Sequence, residues 1–211
     1  MMMESYPEET RRFMGESLIA FPDCYVVVDL ETTGLSPTKN NIIEIGAVRY
    51  KDGREIDRFA SLLMPPANED GLFVSKYITR LTGITNEMLL AAPATPEVLK
   101  AFDAYLGNDI ILGYNVGFDV NFLYDKFLFY LGKPFRNDFI DICRISKKLY
   151  PDMPHHRLQD MVAKFQIHQD RAHRAISDVE ATQECHRIMA EEILCRYASF
   201  ENFRRKVFGY R

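Results

Sequence analysis

Tyr25-Val26-Val27-Val28-Asp29-Leu30-Glu31-Thr32-Thr33-Gly34 decides how this chain reads. Tyr25 to Leu30 is a nearly continuous apolar run, as expected of a strand buried on both faces. It nevertheless carries carboxylates at Asp29 and Glu31. Side chains two apart on a strand share a face, roughly 6.6–7 Å apart along it. Charges at the end of so apolar a strand need partners, so the run predicts a buried strand whose end carries two acids in need of partners. Working outward, Ile42 to Tyr50 reads as a second strand and Lys51-Asp52-Gly53 as a turn. Arg54 to Met64 then returns as a third strand in an antiparallel meander.

Pro65-Pro66 ends the meander, and residues 67–84 read as a loop with short helical turns. Thr85 to Ala91 and Thr95 to Leu106 read as helices, each opened by a Thr cap with a Glu two positions later. Asp109 to Tyr114 is a fourth strand. Phe118 to Leu131 is a helix closed by Gly132, and Asp138 to Ile142 is a fifth, short strand. Cys143 to Tyr150, Arg157 to Gln166 and Ala175 to Tyr197 complete the helices. Strands first, then mixed strand and helix, predicts an α/β domain with one five-stranded mixed sheet flanked by helices. The expected organisation is a domain over 21–197 and an N-terminal extension, 1–20, with a short amphipathic helix at 7–20. A basic helix or tail follows over 198–211. Arg204, Arg205, Lys206 and Arg211 in that last segment read as a solvated helix end.

The chain has 211 residues, 47% of them hydrophobic and 27% charged, which fits a packed domain and excludes a disordered one. No apolar run approaches a membrane span, and Met1 to Glu9 does not read as a secretory signal. Cys24, Cys143, Cys185 and Cys195 form no CxxC pair, so reduced thiols, a cytoplasmic setting and no structural zinc are expected. The net charge of −4 argues against a protein that grips long stretches of phosphate backbone.

Two further segments carry acids. Gly113-Tyr114-Asn115-Val116-Gly117-Phe118-Asp119 places Asp119 at the start of a helix that follows a strand. In His173-Arg174-Ala175-Ile176-Ser177-Asp178 the histidine and the aspartate are five apart. On one helix they would not share a face, so His173 must lie in the loop before the helix and Asp178 on its first turns. Four hard oxygen donors suit Mg²⁺ or Mn²⁺. An imidazole beside them can deprotonate a water. His155, His156, His168 and His186 read instead as structural or exposed.

Asp29, Glu31, Asp119 and Asp178, with His173, resemble in chain order the DEDDh (DnaQ-like) family of 3′→5′ exonucleases over roughly residues 25–195. The resemblance implies a ribonuclease-H-like fold and two divalent ions held by the four carboxylates, with His173 taking a proton from water. It implies release of nucleoside 5′-monophosphates from single-stranded or frayed DNA 3′ ends in proofreading or repair, with a DNA polymerase as a partner to be tested. Backbone groups of Thr32, Thr33 and Gly34 would meet the terminal 3′-hydroxyl. Leu35 and Phe122 would wedge against the last bases, and Asn115, beside Phe118 in the second motif, would contact the penultimate nucleotide. Thr82 and Ile84, in Thr82-Gly83-Ile84-Thr85, would line the base pocket, although many members carry His where this chain has Thr82. For Leu35, Phe122 and Ile84 a core-packing role is an equal reading. Small RNases and oligoribonucleases share the five residues. Thr32-Thr33-Gly34 and Gly83-Ile84-Thr85 look more like the DNA-proofreading branch. A non-catalytic polymerase-associated module is the alternative of another class. It would gain nothing from four clustered carboxylates that repel phosphate.

Overall fold

The computed structural model describes residues 14–209. The meander comprises β2 (Cys24–Thr32), β3 (Ile42–Lys51) and β4 (Arg54–Leu62), paired antiparallel. The reversal between β3 and β4 turns on Asp52 and Gly53, both at positive φ, which a glycine adopts freely. β5 (Ile111–Gly113) lies parallel to β2, and β6 (Phe139–Asp141) lies parallel to β5. β1 (Ser17–Leu18) adds to β6 in parallel, so among the described residues the sheet has six strands in the order β1-β6-β5-β2-β3-β4. Two expectations are corrected here. The sheet gains a sixth strand, because Ser17 and Leu18 pair with Phe139 and Ile140 across the chain. Residues 14–20 of the expected leading helix are not helical, and its remainder, 7–13, lies outside the described residues.

The alternation of β2 divides the core. Val26, Val28 and Leu30 face a cluster that includes Phe102 of α3 (Thr95–Leu106) and Phe122 of α4 (Gly117–Leu131). Tyr25 and Val27 face a second cluster with α5 (Ile142–Leu149), α6 (Leu158–Phe165) and α7 (Ala175–Tyr197). Asp29 and Glu31 continue the second register, so they emerge on the face that α7 covers. The segment after Pro66 holds α1 (Lys76–Thr82) and α2 (Asn86–Leu90), which enclose a small third cluster around Ile43 and Ile84. Ala94, not Thr95, is the N-cap of α3, since the Thr95 hydroxyl donates to the Met64 carbonyl. After α7 the chain forms α8 (Phe200–Phe203) and a π-helical turn, Arg204–Phe208, packed on the body through buried Phe203. Among the described residues no helix is long and apolar enough to cross a membrane.

Candidate active site

β2 delivers Asp29 and Glu31 to the end of the sheet, with Glu31 only 8% exposed. Burial pushes the Asp29 carboxyl well above the usual range, and the charges of Asp119, Asp178, Glu31 and Glu44 push it further. Glu31 is pushed up to about 8 by burial and by Asp178 and Glu44, with Arg174 drawing it back. Such shifts mark a cluster of carboxylates short of positive charge.

Asp119 sits in the first turn of α4 and is buried. The recorded pairing of β2 with β5 stops at Val27, and the amide of Leu30 beyond it donates to Asp119 Oδ1 at 3.1 Å. Burial raises the Asp119 carboxyl well above its ordinary value, although amide donors, its own and that of Leu30, favour the ion. Just before α4, Asn115 adopts φ +58° and donates its amide to Asp141 Oδ1 at 2.9 Å. The same oxygen caps α5 through the Cys143 amide.

His173 is exposed, precedes α7 and has φ +60°. Its amide donates to Asp178 Oδ2 at 3.2 Å, and Gln169 Nε2 donates to Asp178 Oδ1 at 2.5 Å. Burial raises the Asp178 carboxyl, while the Gln169 bond and nearby His173 oppose the rise. Ligand atoms of Glu31, His173 and Asp178 lie within 4.8 Å of one another, a spacing at which one cation can be held. The five residues read from the sequence therefore converge, from β2, α4 and the start of α7.

Sequence reasoning missed what anchors that last segment. Glu44 stands opposite Glu31 in the β2–β3 register. Its carboxylate accepts from Arg174 Nε and Nη2, at 3.1 and 2.7 Å, and from the Ala175 amide at 3.1 Å. Two residues on, a Cβ at Gly46 would come within 2.6 Å of the Ala175 carbonyl carbon. A bare backbone there lets α7 close on the sheet.

The expected substrate contacts divide. Leu35 is 85% exposed at the tip of the β2–β3 loop. That loop is braced from within: Thr32 Oγ1 donates to the Gly34 carbonyl, the Asn41 amide to Thr33 Oγ1, and the Thr33 amide to the Asn41 carbonyl. The Thr33 amide is thus engaged. Asn115 is exposed and Phe118 half-buried. Phe122 is 0% exposed, so the wedge expected of it is corrected: the face of α4 that meets β2 takes it into the core, with the Phe118 ring above it at 4.9 Å. Thr82 and Ile84 are corrected likewise. Thr82 is buried, its hydroxyl donating to the Ile78 carbonyl and accepting from the Ile84 amide, and Ile84 packs in the third cluster.

Asp29 and Asp178 also line a cleft of about 550 Å³, whose other walls include Tyr114, Lys147, His155, His156 and Arg157. His155 and His156, read from the sequence as structural or exposed, carry no local pattern that would have placed them there. The α5–α6 connection brings them in.

A family model described as an exonuclease, RNase_T, matches residues 26–185. The PolC-type DNA polymerase III of Clostridium perfringens is 38% identical over 165 residues, 78% of this chain and 11% of that protein. The chain thus spans about a tenth of the length of its PolC-type relatives. The DNA polymerase III subunit epsilon of Aquifex aeolicus is 33% identical over 195 residues, 92% of each chain. Among solved structures, E. coli exonuclease I in complex with a dA16 oligonucleotide shares the fold, with a TM-score of 0.70 at 20% identity over 86% of this chain and 43% of that one. The chain belongs to the RNase_T exonuclease family.

Proposed function

We propose that this chain is a 3′→5′ exodeoxyribonuclease that requires a divalent cation and releases nucleoside 5′-monophosphates. The observation that carries the reading is the convergence of Asp29, Glu31, Asp119 and Asp178 at one end of the sheet with exposed His173 beside them. The donor set fits hard cations: among the described residues carboxylate oxygens dominate, no thiolate joins them, and burial disfavours their charged forms in the absence of a cation. Two Mg²⁺ or Mn²⁺ ions, held by the four carboxylates, would activate water and offset phosphoryl charge.

The chain's own residues do the rest. Asp178 fixes the His173 loop through the His173 amide, and Glu44 fixes the start of α7 through Arg174 and Ala175. His173 takes the proton of the water that attacks phosphorus, and the bond from phosphorus to the 3′-oxygen breaks. The Leu35 loop and Phe118 offer apolar surface to the terminal nucleotides. DNA as substrate accords with the names of the relatives, and action beside a polymerase is proposed on the same ground.

The test is a 3′-labelled and a 5′-labelled primer incubated with Mg²⁺, with Mn²⁺ and with EDTA, offered as single-stranded DNA, mismatched duplex and RNA. Stepwise shortening from the 3′ end with mononucleotide product, abolished by EDTA, is expected. Internal cuts, or faster degradation of RNA than of DNA, would overturn the assignment.

A further inference from the structure

An exonuclease needs one place for the nucleotide it removes and an open path for the strand that remains. The cleft beside the carboxylates has the chemistry of such a path. It is lined by Asp29 and Asp178 and by Lys147, His155 and Arg157, the last three exposed. Lys147 lies close enough to Asp141 and Cys143 to favour their ionised forms. No ion pair is recorded for Lys147, His155 or Arg157 among the described residues. The carboxylates of Asp29 and Asp178 would repel a phosphate, whereas Lys147 and Arg157 would attract one.

The wall is also built in advance. The His156 carbonyl accepts from the Tyr114 hydroxyl at 3.1 Å and from Cys143 Sγ at 3.3 Å, and its Nδ1 lies 3.1 Å from the Ser146 hydroxyl. Asp160 accepts the Arg157 amide at 2.7 Å where α6 begins. The α5–α6 connection is thus bolted to α5 and to the end of β5, so little ordering is needed on binding. The Tyr114 ring, held by its hydroxyl, supplies a half-buried apolar wall for a sugar or base.

We propose that this cleft holds the phosphodiester next to the scissile one on its 5′ side, with Lys147 and Arg157 as the cationic contacts. The inference rests on the exonuclease reading above. A dinucleotide has a single phosphodiester, the one that is cut, so it cannot reach both places. A trinucleotide can.

The experiment uses the full chain with Lys147→Ala, Arg157→Ala, the double variant, and a charge-keeping Lys147→Arg/Arg157→Lys pair, all checked by thermal melting. Binding of a labelled octathymidylate is titrated over a salt series in Ca²⁺, and cleavage of unphosphorylated di- and trithymidylate is followed in Mg²⁺. Each lost cation should lower the log–log salt slope by about 0.7, the value for one phosphate contact on a single strand. The KM penalty should be about tenfold larger for the trinucleotide than for the dinucleotide, the effect of losing a charge-assisted hydrogen bond. The charge-keeping pair should recover both. Equal slopes in wild type and double variant, or equal penalties for the two lengths, would overturn the assignment of the cleft even if every form cleaves. Cation-dependent slopes in a protein that cleaves nothing would overturn the reaction and keep the cleft. Inorganic phosphate is the remaining arm. If it inhibits wild type but not the double variant, and no length effect is seen, the cleft takes free phosphate and the strand assignment falls.

Discussion

Asp29 is the residue on which the site turns, since four other carboxylates raise its proton affinity and a cation would find it between them. Asp29→Asn should lower turnover by roughly 10³-fold or more, the equivalent of several kcal/mol of charge stabilisation. The cation-free variant should melt no lower than wild type, because one repelling charge is gone. Near-normal turnover would remove Asp29 from the proposed site. His173→Ala should cut turnover by roughly 10²–10⁴-fold, the usual worth of a general base, with oligonucleotide affinity in Ca²⁺ little changed. A parallel fall in affinity would make His173 a substrate contact instead. Buried carboxyls, Glu31 among them, and the buried His186 imidazole give the cation-free protein a pH-dependent stability of opposite signs. Glu31, raised to about 8, keeps in the folded state a proton that the unfolded chain releases above about 4.5, so stability declines between those values as pH rises. His186, lowered to about 4 by burial, stays neutral when folded while the unfolded imidazole charges below about 6.5, so stability declines as pH falls from there. The Tyr25 hydroxyl donates to Gln183, which leaves it to accept from His186 Nδ1, and Nε2 has no partner in the described structure. Melts in EDTA from pH 4 to 9 should peak in between. Glu31→Gln should make the alkaline limb shallower, the raised Asp29, Asp119 and Asp178 carboxyls sustaining the rest, and His186→Gln should flatten the acid one. A limb left unchanged by its substitution belongs to other groups.

At the scale of elements, the start of α7 must lie against β3 for His173 and Asp178 to meet Asp29. Gly46 permits it and the Glu44 carboxylate holds it. Gly46→Ala should cost about 1–3 kcal/mol by overpacking. It should lower turnover by about 10²-fold, because small misplacements of catalytic groups carry that penalty. A variant that loses stability but keeps full turnover would show that the site tolerates the displacement. The same contact shows where the sequence is legible and where it is silent. Tyr25 to Leu30 announces a buried strand because burial on both faces demands unbroken apolarity, and a carboxylate stands out against it. Glu44 lies in an equally apolar strand, yet its partner Arg174 is 130 residues away, and no local pattern encodes that meeting. β1 is silent for a related reason. Two residues, Ser17 and Leu18, carry no periodicity, and only the edge of β6 makes them a strand. Phe118 and Phe122 are one turn apart on α4 and chemically identical. Which of them faces β2 depends on how the helix is rotated, and that is decided by the packing of the whole cluster.

For the whole molecule, a net charge of −4 and a site at the end of the sheet favour a protein that takes the end of a strand over one that grips a duplex along its length. The acids of the site lie at or below the surface, Glu31 and Asp119 among the buried residues, and Leu35, four residues past Glu31 in the chain, is exposed. A stacked, paired terminus cannot bring its last phosphodiester down to these carboxylates without first separating the terminal base. Separation costs a few kcal/mol for a paired base and less for a mismatched one. Rates should therefore rank single strand first, mismatched duplex next and paired duplex last, with the spread narrowing as temperature frays the ends. The freed bases need a surface, and the structure offers Leu35 and Phe118 while withdrawing Phe122. Phe118→Ala should weaken binding of a short single strand in Ca²⁺ by the equivalent of about 1–3 kcal/mol, the worth of one stacked base, and should barely shift the melting temperature. Phe122→Ala should do the reverse, losing roughly 3–5 kcal/mol of stability for a large core side chain while the folded fraction binds normally. Denaturant melts and strand titrations on the two purified variants decide the matter. If Phe122→Ala loses affinity at full stability, or if paired and single-stranded ends are cut equally fast, the strand enters this site by a route other than the one the exposed surface suggests.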